Sequence, residues 1–478
     1  MGFEYDAVVI GSGPNGLAAA ITLASAGCSV LVLEANETIG GGTRSAELTL
    51  PGFVHDVCSA VHPLAAGSPF FQTLPLDRFG LEWVQPEIPL AHPLDNGDAA
   101  ALWRDVNETA VRNGDTGYRH LFEPLTRHWA QLAPEFLQPM LHLPRHPVAA
   151  ARFGLSAICP AKLLAKSFLK SSKTRALFAG LAAHSFLPLE ALASAAFALV
   201  LGAAGHAVGW PIPRGGSQAI ANGLVAYLRE LGGKIETGRR VSGLRELPKS
   251  RAVLLDISPW QFAQMAEDRL PLRYRRKLES FRRAPGVFKI DYALSAPIPW
   301  RAEECHRAGT IHLGGTIDEI ALAEQAVARG EHPERPFVLA AQQSLFDSSR
   351  APRDQHTLWA YCHVPNGSDF DMSQRIEEQI ERFAPGFRDC VIARHSLNTA
   401  QLEKSNANLA GGDISGGAAN FVQLLRRPVL SPNPYRTPLP GVYLCSASTP
   451  PGGVVHGMCG FHAAKRALRE VFGRNNNA

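Results

Sequence analysis

The strongest constraint on the fold of this chain lies in its first two apolar segments and the helix between them. Tyr5–Ile10 is a short apolar run, Pro14–Ala26 is an alanine-rich helical stretch, and Ser29–Leu33 is a second apolar run. Two strands joined by a single helix lie parallel, with a right-handed crossover. The opening therefore predicts a βαβ unit in a parallel sheet.

The turn inside this unit, Gly11–Gly16, carries the pattern G-x-G-x-x-G. Gly11 permits the tight turn, Gly13 lets the backbone approach a diphosphate, and Gly16 lets helix and strand pack closely. The free N–H groups and the dipole of the helix N-terminus then hold the phosphates. Glu34 ends the second strand, where its carboxylate would accept hydrogen bonds from ribose hydroxyls. The unit predicts a dinucleotide site but does not separate NAD from FAD.

A second glycine-rich turn, Gly40–Ser45, follows Glu34 closely. It would bring backbone and the Arg44 guanidinium to the other side of the same diphosphate. With this turn the sequence resembles the FAD-binding flavoproteins of the glutathione-reductase-like group, in the branch of the phytoene (carotenoid) desaturases and amine oxidases. Within that branch it is most similar to the phytoene-desaturase-like relatives that carry a pyridine-nucleotide-disulfide-oxidoreductase domain. The resemblance implies FAD as the cofactor.

Three longer segments carry this resemblance, and together they reach both ends of the chain. They are Ala46–Leu64, Trp210–Val241 and Pro434–Leu468, of which the last is the most specific. The resemblance implies that Val241 meets the adenine through its backbone. It also implies that Gly453–Met458 passes beside the isoalloxazine, with the following helix aimed at the pyrimidine edge. A helix N-terminus there would stabilise the negative charge of reduced flavin.

Many relatives place an acidic residue just after the final strand, where it bonds the ribityl chain. In this chain Ser446 or backbone must take that part. The residues expected to hold FAD are Gly11, Ser12, Gly13, Pro14, Asn15, Gly16, Glu34, Ala35, Gly41, Gly42, Thr43, Arg44, Val241, Ser446, Gly453, Val455, His456 and Met458.

The expected fold class is α/β, with a Rossmann-type (glutathione-reductase-like) FAD-binding domain and a discontinuous α+β substrate domain. A chain of 478 residues suits two or three domains, at ~100–200 residues each. The predicted FAD-binding domain comprises residues 1–90, 211–285 and 410–478, and the substrate domain comprises residues 91–210 and 286–409, as a helical part and an antiparallel sheet. In that sheet Val287–Leu294 alternates apolar residues with Lys289 and Asp291, which predicts a strand with one covered face.

Composition excludes several other classes of protein. Hydrophobic residues make up 46% and charged residues 19%, a soluble globular balance. Lys and Arg are scattered, so no nucleic-acid partner is expected. The eight cysteines form no CxxC pair and no basic leader precedes the first strand, which favours a cytoplasmic protein with reduced thiols. The apolar stretch Ala191–Ala204 predicts a buried helix, with a greasy substrate channel or peripheral membrane contact as the alternative.

Candidate catalytic residues are few. His456 lies in the turn expected to face the flavin, where it could steer a substrate, act as a base, or only pack against the cofactor. His55, Asp56 and His62 cluster after the second glycine turn and are interpreted first as satisfying loop backbone. No third ligand accompanies any histidine pair, and no G-x-S-x-G elbow is present, so neither a metal site nor a serine nucleophile is expected.

The sequence thus predicts an FAD enzyme that moves hydride from a small hydrophobic C–H substrate to flavin N5. Oxygen or a quinone would then take the electrons. A flavin amine oxidase and a non-redox isomerase or saturase are alternatives, although amine oxidases usually place an aromatic pair before the flavin and Ser446–Gly460 offers none. A non-catalytic FAD-binding or lipid-binding module is a third reading.

Overall fold

The computed structural model describes residues 2–474, except for the side chain of residue 267. Its strands are β1 (Tyr5–Ile10), β2 (Val30–Leu33), β3 (Ser45–Glu47), β4 (Val54–Asp56), β5 (Trp83–Val84), β6 (Ile88–Pro93), β7 (Ala99–Leu102), β8 (Ile212–Pro213), β9 (Lys234–Glu236), β10 (Ser250–Leu255), β11 (Gly286–Leu294), β12 (Ala308–Leu313), β13 (Val338–Ala341), β14 (His356–Val364), β15 (Val391–Leu397) and β16 (Val442–Leu444). Its α-helices are α1 (Pro14–Ser25), α2 (Pro63–Ala66), α3 (Val106–Arg112), α4 (Thr116–Arg127), α5 (Trp129–Phe136), α6 (Pro147–Ala157), α7 (Ala161–Phe168), α8 (Ser172–Ala183), α9 (Ser194–Ala207), α10 (Gln218–Glu230), α11 (Pro259–Met265), α12 (Leu272–Glu279), α13 (Glu303–His306), α14 (Ile317–Ala328), α15 (Ser373–Phe383), α16 (Phe387–Cys390), α17 (Thr399–Ser405), α18 (Phe421–Leu425) and α19 (Met458–Phe472).

A five-stranded parallel sheet forms the first half of the architecture, in the order β16-β10-β1-β2-β9. In it Ala7 of β1 lies between Val30 of β2 and Ala252 of β10. Helix α1 joins β1 to β2 and is buried along most of its length, because the sheet, α10 and α19 enclose its small and apolar residues. The predicted βαβ opening and the Rossmann-type α/β fold class are confirmed. The carboxyl ends of such parallel strands meet at one edge, which is where ligands bind in this class of sheet.

Two strands of this sheet end earlier than their sequence pattern predicts. The apolar pattern of the sequence extends β9 to Val241, but the strand ends at Glu236. The pattern extends β10 to Ile257, but that strand ends at Leu255. Gly238 takes a left-handed φ of 65°, which turns the chain after β9. After β10, the Ser258 side chain caps α11, which stops the extended run. Val241 is therefore a loop residue, and the residues after Leu255 lie at the binding edge of the sheet.

A seven-stranded sheet forms the second half, in the order β15-β11-β14-β13-β12-β6-β7. Its neighbouring strands are antiparallel except β6 and β12, which are parallel. The apolar side chains of β11 pack into one core with α15, as the alternation predicts. Lys289 and Asp291 point to the opposite face but are only 2% and 0% exposed. The prediction of one covered face is wrong, because α8, α9 and β4 cover the second face.

Helices α3 to α9 form a layer against that second face. The sequence stretch predicted as a buried helix corresponds to α9, and the structure confirms its burial. Helix α9 packs against α8, α4 and α6, and α8 in turn packs against β6, β7 and β12. The helical layer and the seven-stranded sheet therefore share one large apolar core.

A fully buried ion pair connects the two halves of the molecule. Asp56, at the end of β4, accepts from the Arg350 guanidinium at 2.6 Å, and Arg350 lies between β13 and β14. Asp56 also accepts from the Ser217 backbone N–H at 2.7 Å and from the Ser45 hydroxyl at 2.8 Å. Burial alone would raise the pKa of Asp56, but Arg350 and these hydrogen bonds outweigh it and hold the pKa below its ordinary value. Asp56 thus has a structural role. This agrees with the interpretation from the sequence that it satisfies the backbone of its loop.

We expect Arg350→Leu to lower the free energy of unfolding by about 3–5 kcal/mol, because it leaves the Asp56 carboxylate buried without its counter-ion. Arg353→Leu is the matched control, since Arg353 is 95% exposed in the same loop. Urea unfolding followed by circular dichroism measures both. Equal stability of the two variants would show that the pair is not what joins the halves.

Candidate active site

The turn between β1 and α1 has the geometry of a phosphate loop. Gly11 takes a left-handed φ of 97°, and Pro14 occupies the first turn of α1, where it loses no hydrogen bond. A Cβ on Gly16 would lie 2.1 Å from the Gly11 carbonyl oxygen, so only glycine allows the helix to approach the strand. The N-terminus of α1 therefore lies at the binding edge of the sheet, where its positive dipole end favours an anion.

Asp256 is a site residue that the sequence pattern missed. Its Oδ2 accepts from the Gly16 N–H at 3.0 Å, and a Cβ on Gly13 would lie 2.7 Å from the same oxygen. Burial above all, and the nearby Glu34 carboxylate, raise the pKa of Asp256 to about 7, against the lowering effect of the Gly16 hydrogen bond. The feature of the sequence that could have indicated Asp256 is a carboxylate within the apolar segment Ala252–Ile257, which has the pattern of a strand. Because β10 neighbours β1, that carboxylate comes to the phosphate loop.

Glu34 follows β2 and is buried against the same loop. Its Oε2 accepts from the Ser12 N–H at 2.9 Å and from the Ser12 hydroxyl at 2.6 Å. Its Oε1 accepts from the Asn36 N–H at 2.8 Å. Glu34 thus lies at the position after the second strand where an acidic residue meets a ribose in Rossmann-type sites.

The second glycine turn packs directly on the phosphate loop. A Cβ on Gly41 would lie 3.1 Å from the Gly13 Cα, and the Gly40 N–H donates to the Ser12 carbonyl oxygen at 3.1 Å. The Arg44 Nε donates to the Gly41 carbonyl at 3.0 Å and its Nη2 to the Ser405 carbonyl at 2.7 Å. Arg44 therefore joins this turn to the C-terminal end of α17. Direct contact between Arg44 and a diphosphate remains a prediction.

The C-terminal turn meets the N-terminal loop through helix packing. Helix α19 begins after Gly457, whose φ of 70° is left-handed, and it crosses α1 so closely that a Cβ on Gly460 would lie 1.8 Å from the Asn15 carbonyl oxygen. Ser446 follows β16, the neighbour of β10, and is buried at the same sheet edge. The two ends of the chain thus meet at this edge of the sheet, as the resemblance implies. The space at this edge, between the phosphate loop and the C-terminal turn, is called here the cofactor groove.

The residues at this groove fit FAD. The glycines leave room where side chains would collide, and the N-terminus of α1 brings the positive end of its dipole to the same place. The Asn15 Oδ1, on the first turn of α1, is buried without a partner among the described residues, as a group awaiting a ligand would be. The roles of Val241, Val455 and the remaining predicted contacts in binding FAD remain predictions.

A cavity of about 660 Å³ adjoins the C-terminal turn. That turn, Pro450–His456, forms one part of its wall, and Cys58–Leu64 forms another. Helices α5, α6 and α9 contribute mostly apolar side chains, β12, β13 and β14 contribute a further part, and the segment 414–427 contributes another, which includes Arg427. The apolar segment 191–204 is thus both a buried helix and part of the lining of this cavity. This agrees with the alternative expectation that the segment lines an apolar substrate channel.

His456 faces this cavity in a defined protonation state. Its Nδ1 accepts from the Met458 N–H at 3.0 Å, so its proton must reside on Nε2. Nε2 has no partner among the described residues. Burial lowers the pKa of His456 to about 4, so the ring is neutral at pH 7. His456 is therefore a neutral ring with its proton on Nε2, which argues against its role as a general base.

The other two histidines of the N-terminal cluster differ in placement. His62 lines the cavity and pairs through Nε2 with the Ser217 hydroxyl at 2.8 Å, and burial lowers its pKa to about 4. His55 lies outside the cavity lining and pairs with the Thr49 hydroxyl at 2.8 Å. Only His62 of this cluster is therefore placed to meet a substrate.

Comparison with known proteins agrees with this geometry. A family model described as an NAD(P)-binding Rossmann-like domain matches residues 9–73. The chain is 26% identical to the pyridine nucleotide-disulfide oxidoreductase domain-containing protein 2 of Rattus norvegicus, over 98% of this chain and 94% of that protein. It is 25% identical to the phytoene dehydrogenase of Streptomyces griseus, over 81% of this chain and 77% of that protein. Among solved structures, wild-type putrescine oxidase bound to putrescine superimposes with a TM-score of 0.63 at 18% identity, over 98% of this chain and 99% of that chain. These findings confirm the resemblance drawn from the motifs, and the last shows a shared fold.

We expect Gly16→Ala to deplete the purified protein of flavin, because the added methyl group collides with the Gly11 carbonyl and pushes α1 away from β1. Overpacking of this kind costs about 1–3 kcal/mol. Gly154→Ala is the matched control, since no atom lies within 4 Å of the position of its Cβ in α6. Absorbance of flavin released by denaturation measures both. Full flavin content in Gly16→Ala would contradict the assignment of the loop.

Proposed function

We propose that this chain, an FAD-dependent oxidoreductase of the phytoene desaturase-like group, removes hydrogen from a C–H bond of a small hydrophobic substrate. The observation that carries this proposal is the position of the turn Pro450–His456, which lines the apolar cavity and leads into α19, the helix that packs on the phosphate-loop helix α1. Bound FAD would supply a hydride acceptor at flavin N5. The residues around the cavity then have to position the substrate and exclude water.

The apolar wall meets both requirements. Phe153 of α6, Val200 and Leu201 of α9, and Trp210 surround the cavity with side chains that offer water little to bind. Holding a C–H bond in reach of an acceptor converts a bimolecular encounter into a unimolecular step. A rigid apolar cavity therefore supplies much of what the dehydrogenation of an unactivated substrate needs.

The ionisable groups of the cavity support a neutral substrate over an amine. Glu135 is the single carboxylate among the described lining residues, and both of its oxygens are engaged. It accepts from His142 at 2.6 Å and from the Arg145 N–H at 2.8 Å. An ammonium group would find no free carboxylate there. This observation favours the dehydrogenase over the amine oxidase alternative.

Anaerobic mixing with candidate substrates tests the proposal. We expect a polyene hydrocarbon to bleach the visible flavin bands, whereas a primary amine of similar length leaves them unchanged. The bleached protein should regain its bands when mixed with oxygen or a quinone, and the faster of the two identifies the acceptor. Absence of flavin bands in the purified protein would contradict the proposal, and so would bleaching by the amine alone.

A cavity-filling variant links that reaction to the cavity. Val200→Trp should keep its flavin but slow bleaching by at least about tenfold, because the indole occupies the space of the substrate. Val111→Trp, at a surface position 70% exposed on α3, should bleach like the wild type. Equal rates in the two variants would place the substrate elsewhere.

We also propose that α6 and α7 rest on an anionic membrane surface. No single helix among residues 2–474 is long and apolar enough to cross a membrane, but this pair, bent by 105°, has that length and composition together. Leu143, Val148 and Leu155 are 94%, 83% and 74% exposed, with exposed Arg145 and Arg152 between them. Apolar side chains flanked by cations are typical of interfacial segments.

The inner face of α6 connects this surface to the cavity. Ala150, Phe153 and Ala157 of the same helix line the cavity wall. A hydrophobic substrate dissolved in a lipid leaflet would thus have one helix to pass. This arrangement supports the membrane as the source of substrate.

Vesicle sedimentation tests the membrane proposal. We expect the protein to pellet with vesicles of phosphatidylserine and phosphatidylcholine, and the triple variant L143S/V148S/L155S to lose most of that binding. The control triple variant V111S/L322S/I392S changes three exposed apolar residues on α3, α14 and β15 and should bind like the wild type. Equal loss in both variants, or no pelleting of the wild type, counts against a membrane-facing α6.

A further inference from the structure

One wall of the cavity is a strip of the seven-stranded sheet, called here the sheet wall. It consists of Thr310 on β12, Leu339 on β13, and Trp359 and Tyr361 on β14. The strand register places Thr310 and Trp359 on either side of Ala341 in one row across the sheet. Because Ala341 has only a methyl group, the row has a recess between two larger side chains. The sheet wall is thus a continuous surface and not a scatter of residues.

Two polar atoms of the sheet wall are buried without partners. Thr310 is 1% exposed and Trp359 is 5% exposed, and neither the Thr310 Oγ1 nor the Trp359 Nε1 has a hydrogen-bond partner among residues 2–474. Buried polar groups are almost always paired in native proteins, with protein, water or ligand. Both residues line the cavity, so the cavity is where their partner must come from.

A histidine pair beside the sheet wall adds a third donor. The Nε2 atoms of His184 and His312 lie 3.0 Å apart, so one ring donates to the other. The Nδ1 of His312 is buried without a partner, and α8 covers it so closely that a Cβ on Gly180 would lie 2.6 Å away. A proton on that Nδ1 would have no acceptor, so the His312 proton resides on Nε2 and is donated to His184. His184, which lines the cavity, then carries its own proton on Nδ1.

These donors are neutral. Burial lowers the pKa of His184 to about 3, with His363 as a second cause, and it holds the pKa of His312 well below its ordinary value. Lys289 has its Nζ 5.9 Å from the Trp359 ring centroid but is ion-paired with Asp291 on its own strand. Arg427, which also lines the cavity, donates through its Nη2 to the backbone carbonyls of residues 415, 416, 417 and 447. The sheet wall therefore presents N–H and O–H groups without a free positive charge.

We infer that the substrate carries an uncharged oxygen acceptor, a carbonyl or a hydroxyl, which binds at the sheet wall to Thr310, Trp359 and His184. This inference rests on the proposed function, since it names the substrate class of the same cavity. A site that hydrogen-bonds one group of a ligand rejects the analogue that lacks it, because its own buried donors would stay unpaired. The preferred substrate is thus a mostly apolar molecule with one oxygen function, which binds more tightly than a pure hydrocarbon of the same shape or a carboxylate.

Equilibrium dialysis of the flavin-loaded protein with two isosteric probes tests this inference. The probes are 2-undecanone and 2-methyl-1-undecene, which differ only in carrying C=O or C=CH₂, and decanoate is the charged third arm. The test variants are Thr310→Val and Trp359→Phe. Thr357→Val is the matched control, because Thr357 lies on the same face of β14 with a buried, unpartnered hydroxyl but does not line the cavity.

We expect the wild type to bind the ketone roughly 3–10-fold more tightly than the alkene for each hydrogen bond formed. Thr310→Val and Trp359→Phe should each lose part of this preference while binding the alkene as the wild type does. Thr357→Val should keep the whole preference, whatever its effect on stability. Equal binding of ketone and alkene by the wild type, the same preference in Thr310→Val and wild type, or tightest binding of decanoate would each overturn the inference.

The readout also separates this inference from the proposed function. Dialysis measures binding and needs no electron transfer, so a ketone preference in a protein whose flavin no hydrophobic compound bleaches would refute the oxidoreductase proposal alone. Bleaching by a polyene hydrocarbon without any ketone preference would refute the inference alone.

Discussion

The close crossing of α19 over α1 is the contact on which the rest of the site depends. At Gly460 the two backbones approach so closely that no side chain fits, since a Cβ there would lie 1.8 Å from the Asn15 carbonyl oxygen. Helix α1 carries the phosphate loop at its N-terminus, and α19 carries the C-terminal turn at its own. Fixing the distance between these helices therefore fixes the distance between the two ends of the groove. A longer separation would leave a dinucleotide held at one end only.

The same crossing determines where chemistry can occur. The turn Pro450–His456 leads into α19, so the packing that fixes α19 on α1 also fixes this turn, which lines the cavity. His456 is held in that turn by the Met458 N–H and by the Ser68 hydroxyl, which donates to the His456 carbonyl at 2.6 Å. The orientation of its ring thus follows from backbone geometry and does not require a substrate.

The part of this site whose residues lie close together in the chain could be predicted from the sequence. The contacts between residues far apart in the chain could not. The phosphate loop, Glu34 and the second glycine turn are close together in the chain, and their order alone defines their geometry. Asp256 bonds Gly16 across a separation of 240 residues, and it does so only because β10 inserts beside β1. Arg350 reaches Asp56 in the same way, across 294 residues. Strand order in a sheet is a tertiary property, and no pattern within either strand encodes it.

The polar face of β11 shows why a strand pattern can mislead about burial. The alternation of apolar and polar residues shows which side chains share a face of the strand. It does not show whether the polar face is exposed to water or buried, because polar residues also occur in an interior where they find polar partners. Here the face is interior. Lys289 and Asp291 pair with each other, so the sheet carries no net charge toward the cavity from them. That pairing allows neutral donors such as Thr310 and Trp359 to govern what the cavity recognises, because an unpaired ammonium group in the same place would dominate any hydrogen bond they form. A buried ion pair behind the wall is thus what makes the wall selective for a dipole.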